Sequence, residues 1–131
     1  MLWRLTSNAP GKAKEFFERK MTYTLGPVEV QYYQEENVPM NIIDVRRTQD
    51  YEKGHVPGAI SLPEEKWETL KGLSKEKPNI VYCYSVVCHL AAKACAYFAG
   101  QGYSVMEMDG GFLSWKENGL RIEESILAQR R

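Results

Sequence analysis

Residues 79–100, NIVYCYSVVCHLAAKACAYFAG, constrain the fold more than any other stretch. Ile80, Val81 and Tyr82 form a short, unbroken apolar run that ends at Cys83. A run of that length and β-branched content, with no polar alternation, predicts a strand buried on both faces, as in parallel sheets. A helical pattern follows within a few residues. Val87, Leu90, Ala91, Ala94, Cys95 and Phe98 are predicted to share one face of that helix, which ends at Gly100 or Gly102. A buried strand running into an amphipathic helix is the repeating element of an α/β fold.

The rest of the chain fits that scheme. Residues 41–45 (NIIDV) and 103–108 (YSVMEM) predict two further strands, and a short one is expected around residues 59–62, after a turn at Pro57 and Gly58. Helices are predicted over residues 11–23, where Ala13, Phe16, Phe17 and Met21 recur near helical spacing, over residues 28–37 behind Pro27, and over residues 64–73 behind Pro63. A brief helix over residues 48–54 would be capped by Thr48 and closed by Gly54. A turn and short helix are expected over residues 110–119, followed by a polar, helical tail. Alternating strands and helices predict a central, mostly parallel sheet with helices on both faces. The expected organisation is an N-terminal extension with a short helix (1–24), one domain (25–121) and a polar tail (122–131).

Composition removes several function classes. Lys+Arg and Asp+Glu number 17 each, and a chain of zero net charge is not expected to bind nucleic acid. No apolar run approaches the ~20 residues that span a bilayer, so no membrane partner is expected. The first residues lack the long apolar core of a signal peptide. Three cysteines, an odd and low count, argue against a disulfide framework and for a reducing compartment, with the cytoplasm as the expected location.

The placement of Cys83 carries the chemistry. Ligands of open α/β folds sit beyond the carboxyl ends of the parallel strands, where Cys83 lies. Successive N–H groups in the following loop and the helix N-terminus bind anions and lower thiol pKa, so Cys83 is expected to be an activated, ionised cysteine. The alternative is a buried small apolar residue at a strand end.

Four motifs in order, DVR (44–46), GHVPGAI (54–60), VYCYS (81–85) and DGGFLSW (109–115), resemble the single-domain rhodanese family of sulfurtransferases. The resemblance runs over about residues 28–120. It implies a mostly parallel sheet flanked by helices and a nucleophile at the cysteine that opens the active-site loop, here Cys83. The implied reaction moves sulfane sulfur through a Cys83 persulfide, from a persulfide or thiosulfate-type donor to a thiol or other nucleophile. Donor and acceptor would be small molecules or proteins. No cofactor is implied, and the oligomeric state is left open. Substrate sulfur would be held by the loop Tyr84, Ser85, Val86, Val87, Cys88 and His89, through its backbone amides, the Ser85 hydroxyl and the charge of His89.

The loop departs from the family pattern. Glycine and a basic residue are common where this chain has Val86 and Cys88, so the cradle has no guanidinium and weak thiosulfate activity is expected. The phosphatase pattern C-x5-R is also absent, since His89 stands at the arginine position. Cys88 either resolves a persulfide or sulfenic acid on Cys83, which requires Cα atoms within ~7 Å, or fills the first turn of the helix, the reading favoured here. Cys95 is read as core. Cys83, Cys88, His89 and Cys95 match no common structural zinc spacing, and no metal site is expected. Arg46 is a possible support for the site, although an Arg46–Glu52 pair and a hydrogen-bonded His55 that hold the loops are favoured. Trp67, Phe112 and Trp115 are read as packing aromatics, and Gly110 and Gly111 as allowing close backbone approach near the site. A reading of another class is a catalytically silent interaction or redox-sensing module.

Overall fold

The computed structural model describes residues 9–125. In chain order the elements are α1 (Pro10–Tyr23), β1 (Thr24–Leu25), α2 (Pro27–Glu35), β2 (Asn41–Asp44), α3 (Thr48–Lys53), β3 (Ile60–Ser61), a 3₁₀ helix (Glu64–Thr69), β4 (Asn79–Tyr82), α4 (Leu90–Gly100), β5 (Val105–Met108) and α5 (Gly111–Glu117). The five strands form one sheet in the order β1-β5-β4-β2-β3, and every pairing is parallel. The strand that ends at Cys83 is therefore central, and its neighbour β2 runs in register with it from Asn41 opposite Asn79 to Asp44 opposite Tyr82.

Side chains alternate across this sheet, and each face has its own core. Ile42, Ile80, Tyr82 and Met108 pack with Val30 of α2 and with Phe112 and Trp115 of α5. Ile43, Val81 and Cys83 point the other way, onto Ala91, Ala94 and Phe98 of α4 and onto Trp67. Both faces of β2 and β4 are covered, which is why NIID and NIVY carry no polar alternation. Trp67 is a packing aromatic, as expected. Its Nε1 donates to the Leu62 carbonyl at 3.0 Å, and its ring meets Phe98 edge-on.

Several local expectations are corrected. β1 was not foreseen, because two residues cannot display a period. Thr48 does not cap α3; Arg47 occupies that position, without a side-chain bond to the helix. The helix expected over residues 64–73 is a 3₁₀ turn that stops at Leu70, whose φ is 55°. Val87 is not on the apolar face of α4 but 83% exposed in the loop before it. In the tail, residues 122–125 are not helical. Glu123 exchanges backbone hydrogen bonds with His55 in an antiparallel bridge, and residues 126–131 lie outside the described region. No residue of α1 is buried.

Candidate active site

Parallel pairing brings the carboxyl ends of β2, β4 and β5 to one edge of the sheet, and with them Arg46, Cys83 and Asp109. The loop after β4 is anchored from behind by α5. The Phe112 N–H donates to the Cys83 carbonyl and the Leu113 N–H to the Tyr84 carbonyl, both at 2.9 Å. Those N–H groups belong to the first turn of α5 and have no partner within the helix. The approach depends on Gly110 and Gly111, with φ of 79° and 62°. A Cβ on Gly111 would stand 2.7 Å from the Cys83 carbonyl oxygen, so the expected role of these glycines is met.

The loop then folds its second cysteine back onto the first. The Cys88 N–H donates to the Ser85 carbonyl at 3.0 Å, closing a turn over residues 85–88 that leaves the Val86 and Val87 side chains in solvent. Cys83 is 2% exposed, and its thiol donates toward the Cys88 carbonyl at 3.5 Å. Cys88 packs against the buried cluster that holds Cys83, and each thiol shifts the other's pKa. Backbone N–H groups of Tyr84 and Ala91 favour the ionised form of Cys83, and those of Leu90 and Tyr84 the ionised form of Cys88.

The electrostatics reverse one expectation. Burial, reinforced by the hydrogen bond with Cys88, pushes the Cys83 thiol up to about 11. Burial also acts against ionisation of Cys88. The Leu90 N–H, the Cys83 thiol and the Tyr84 N–H outweigh it, and the Cys88 pKa falls below the ordinary thiol value. Of the two thiols, Cys88 is therefore the one that gives up its proton first as pH rises, not Cys83. Cys95 is pushed up to about 12, by burial first and then by Glu107 and Cys83, in keeping with its core role.

Glu107 is a residue that sequence reasoning missed. It lies on β5 in register with Val81, so its carboxyl points to the α4 face. Burial and then Asp109 push its pKa up, while His89 pulls it down. It also opposes ionisation of Cys88 and Cys95. The only signal was a charged residue inside an apolar strand, between Met106 and Met108.

Arg46 is tied into the frame beside the loop and also borders the cleft that opens there. Asp44, fully buried, accepts the Arg46 backbone N–H at 2.9 Å, its Nη2 at 2.8 Å and the Tyr82 hydroxyl at 2.6 Å. Arg46 Nη2 also donates to the Gly54 carbonyl at 2.6 Å, and the guanidinium lies 4.1 Å over the Phe112 ring. Its partner is Asp44 and not the expected Glu52. His55 is hydrogen-bonded as expected. Its Nδ1 lies 2.7 Å from the Tyr51 carbonyl, and its ring stacks on Tyr51 at 3.8 Å. Tyr84 ties the loop to α3 by donating its hydroxyl to Asp50 and accepting the Arg47 N–H at 3.1 Å.

A cleft of about 690 Å³ opens beside the loop, with Tyr84, Ser85, Phe112, Lys53 and Lys116 on its walls. Val86 instead borders a smaller hollow of about 360 Å³ against Gly110 and Ser114. Cys83, Val87, Cys88 and His89 line neither. Among the described residues no three His, Cys, Asp or Glu side chains are grouped to hold a metal ion, and no helix is long and apolar enough to cross a membrane.

Comparison with known proteins bears on this arrangement directly. The chain is similar to the HTH-type transcriptional regulator Rv0324 of Mycobacterium tuberculosis, at 33% identity over 65% of this chain but only 38% of that protein. It is 34% identical to the thiosulfate sulfurtransferase GlpE of Pseudomonas putida, over 57% of this chain and 68% of that one. The crystal structure of the BH2092 protein from Bacillus halodurans superposes with a TM-score of 0.82 at 32% identity, covering 90% of this chain and 88% of that one. A family model described as the rhodanese-like domain matches residues 27–118, the stretch that runs from α2 to the end of α5 and includes the thiol loop. This chain belongs to the rhodanese-like domain family.

Proposed function

We propose that this protein is a sulfurtransferase that carries sulfane sulfur as a persulfide on Cys83. The observation that supports the reading best is the place of Cys83 at the carboxyl end of the central strand, where the N–H groups of Tyr84 and Ala91 favour its ionised form. Such donors stabilise negative charge on a sulfur attached there. The Cys83 sulfur attacks the sulfane sulfur of a donor R–S–SH; the Cys83–sulfur bond forms, and R–S⁻ leaves with the electron pair of the broken bond. A thiol or another nucleophile then removes the outer sulfur and returns Cys83 to its thiolate. The proton that Cys83 must lose has an adjacent acceptor in Cys88.

The donor is a small-molecule or protein persulfide in preference to thiosulfate. The loop carries no Lys or Arg, and Arg46 is neutralised by Asp44. The loop itself therefore offers the departing sulfite of thiosulfate no cation, and Lys53 and Lys116 stand on the wall of the cleft beside it. The names of the GlpE relatives favour sulfur transfer in general. Three free cysteines favour work in a reducing compartment such as the cytoplasm.

One observation favours the silent interaction module instead, namely a Cys83 that is 2% exposed with its pKa pushed upward. Sulfur transfer from glutathione persulfide to cyanide separates the two readings. A rate that falls at least about a hundredfold in Cys83→Ser supports the enzyme. A rate equal to that of the variant supports the module.

A further inference from the structure

Resting on that reading, we propose that Cys88 resolves the Cys83 persulfide within the molecule, forming a Cys83–Cys88 disulfide and releasing hydrosulfide. The geometry brings the reactants together before any donor arrives. The turn over residues 85–88, closed by the Cys88 N–H on the Ser85 carbonyl, folds the chain back so that the Cys88 carbonyl stands 3.5 Å from the Cys83 sulfur and the Cys88 side chain packs against the cluster that holds Cys83. Cys88 is half-buried and Cys83 almost wholly so, which favours an internal nucleophile over one from solvent.

The step balances as follows. Cys88 reacts as its thiolate and attacks the Cys83 sulfur. The Cys83–Cys88 sulfur–sulfur bond forms, and the bond from Cys83 to the outer sulfur breaks. The outer sulfur leaves as HS⁻ with the electron pair of that bond and the proton it already carried. The sulfane sulfur gains two electrons, and the two cysteine sulfurs supply them. A thiol reductant then reopens the disulfide by exchange, so the net reaction is reduction of a persulfide by thiols. The lowered pKa of Cys88 supports its role as attacking group. Cys95, pushed up to about 12, is not a competing nucleophile.

The test uses the reduced, full chain and glutathione persulfide, whose own leaving group is glutathione rather than sulfide. Excess thiol is removed, free thiols are blocked with iodoacetamide, and released sulfide and peptide masses are measured over time. The wild type is expected to release close to one equivalent of sulfide and to yield a peptide pair joined through Cys83 and Cys88. Cys88→Ser and Cys88→Ala are each expected to hold the persulfide on Cys83 at least about tenfold longer, with sulfide release slowed to match. Cys95→Ser is expected to behave as wild type. Equal persulfide lifetimes in wild type and both Cys88 variants, with no Cys83–Cys88 linkage, would overturn the inference and leave the sulfurtransferase reading standing. No persulfide on Cys83 in any of these proteins would overturn the reading itself. The linked peptide pair is read from the wild type alone, so the test does not depend on the folding of a variant.

Discussion

Gly111 lies so close to Cys83 that a single added carbon would stand 2.7 Å from the Cys83 carbonyl oxygen. The same carbon would stand 2.8 Å from the Ser85 nitrogen, and the backbone there has a φ of 62°. Gly111→Ala is therefore expected to cost about 2–4 kcal/mol, from αL strain plus displacement of the loop. It should also abolish sulfur transfer in protein that remains folded. Urea unfolding and the cyanide assay on the same preparation check both.

The buried triad of Asp44, Arg46 and Tyr82 gives a sharper stability test. Asp44→Ala leaves the Arg46 guanidinium uncompensated at 4% exposure and is expected to destabilise by about 3–5 kcal/mol. Glu52→Ala, at the partner that the sequence suggested, should change stability by less than about 0.5 kcal/mol. Denaturant midpoints of the two variants distinguish the pairings.

Thiol reactivity against pH should separate the two loop cysteines. Cys88 is expected to react with iodoacetamide below the ordinary thiol range, and Cys83 only as pH rises toward about 11. Removing the Cys88 thiol removes a hydrogen bond that raises the Cys83 pKa, so Cys88→Ala should shift the Cys83 profile to lower pH. A downward shift of the Cys83 midpoint in peptide-resolved alkylation supports the pairing; an unchanged midpoint contradicts it.

The same pKa fixes the sign of an alkaline effect on stability. The folded Cys83 pKa lies above that of the unfolded thiol, ~8.5, so folding holds a proton that the unfolded chain gives up. The resulting stability is fully present below the unfolded value and is lost as pH rises toward about 11. Tyr82, raised first by burial and then by Asp44, acts in the same direction. Unfolding midpoints should fall between about pH 9 and 11, and less steeply in Cys83→Ala if that variant is otherwise intact.

Charge in the loop should decide donor preference. Wild type is expected to use thiosulfate at least about tenfold less efficiently than glutathione persulfide. Cys88→Arg supplies a cation near the leaving anion and should raise kcat/KM for thiosulfate by about 10–100-fold. Steady-state cyanide assays with both donors measure the ratio.

The parts of this molecule visible in its sequence are those with strong local signals. The runs NIID and NIVY lack polar alternation because α2 and α5 cover one face while α4 and Trp67 cover the other. Gly110 and Gly111 announced a close approach, and the loop carbonyls of Cys83 and Tyr84 supply it. The parts that were not visible depend on tertiary placement. Val87 fits a helical period but falls in a turn three residues before the helix begins. Arg46 chose Asp44 over Glu52 because Asp44 is buried beside it and also accepts the Tyr82 hydroxyl. The loop amides and helix N-terminus suggested an ionised Cys83, but burial outweighs them, and Cys88 receives the lowered pKa. Two residues of β1 and the bridge between Glu123 and His55 are too short to leave a pattern.

The most direct test of the account locates the transferred sulfur itself. Protein lacking Cys88 and Cys95 (Cys88→Ser, Cys95→Ser) is loaded with glutathione persulfide, trapped with iodoacetamide and sequenced by tandem mass spectrometry, beside wild type and Cys83→Ser. The account expects one additional sulfur on Cys83 in the double variant and none retained by Cys83→Ser. A Cys83→Ser protein that takes up sulfur on Cys88 as fast as wild type would contradict it.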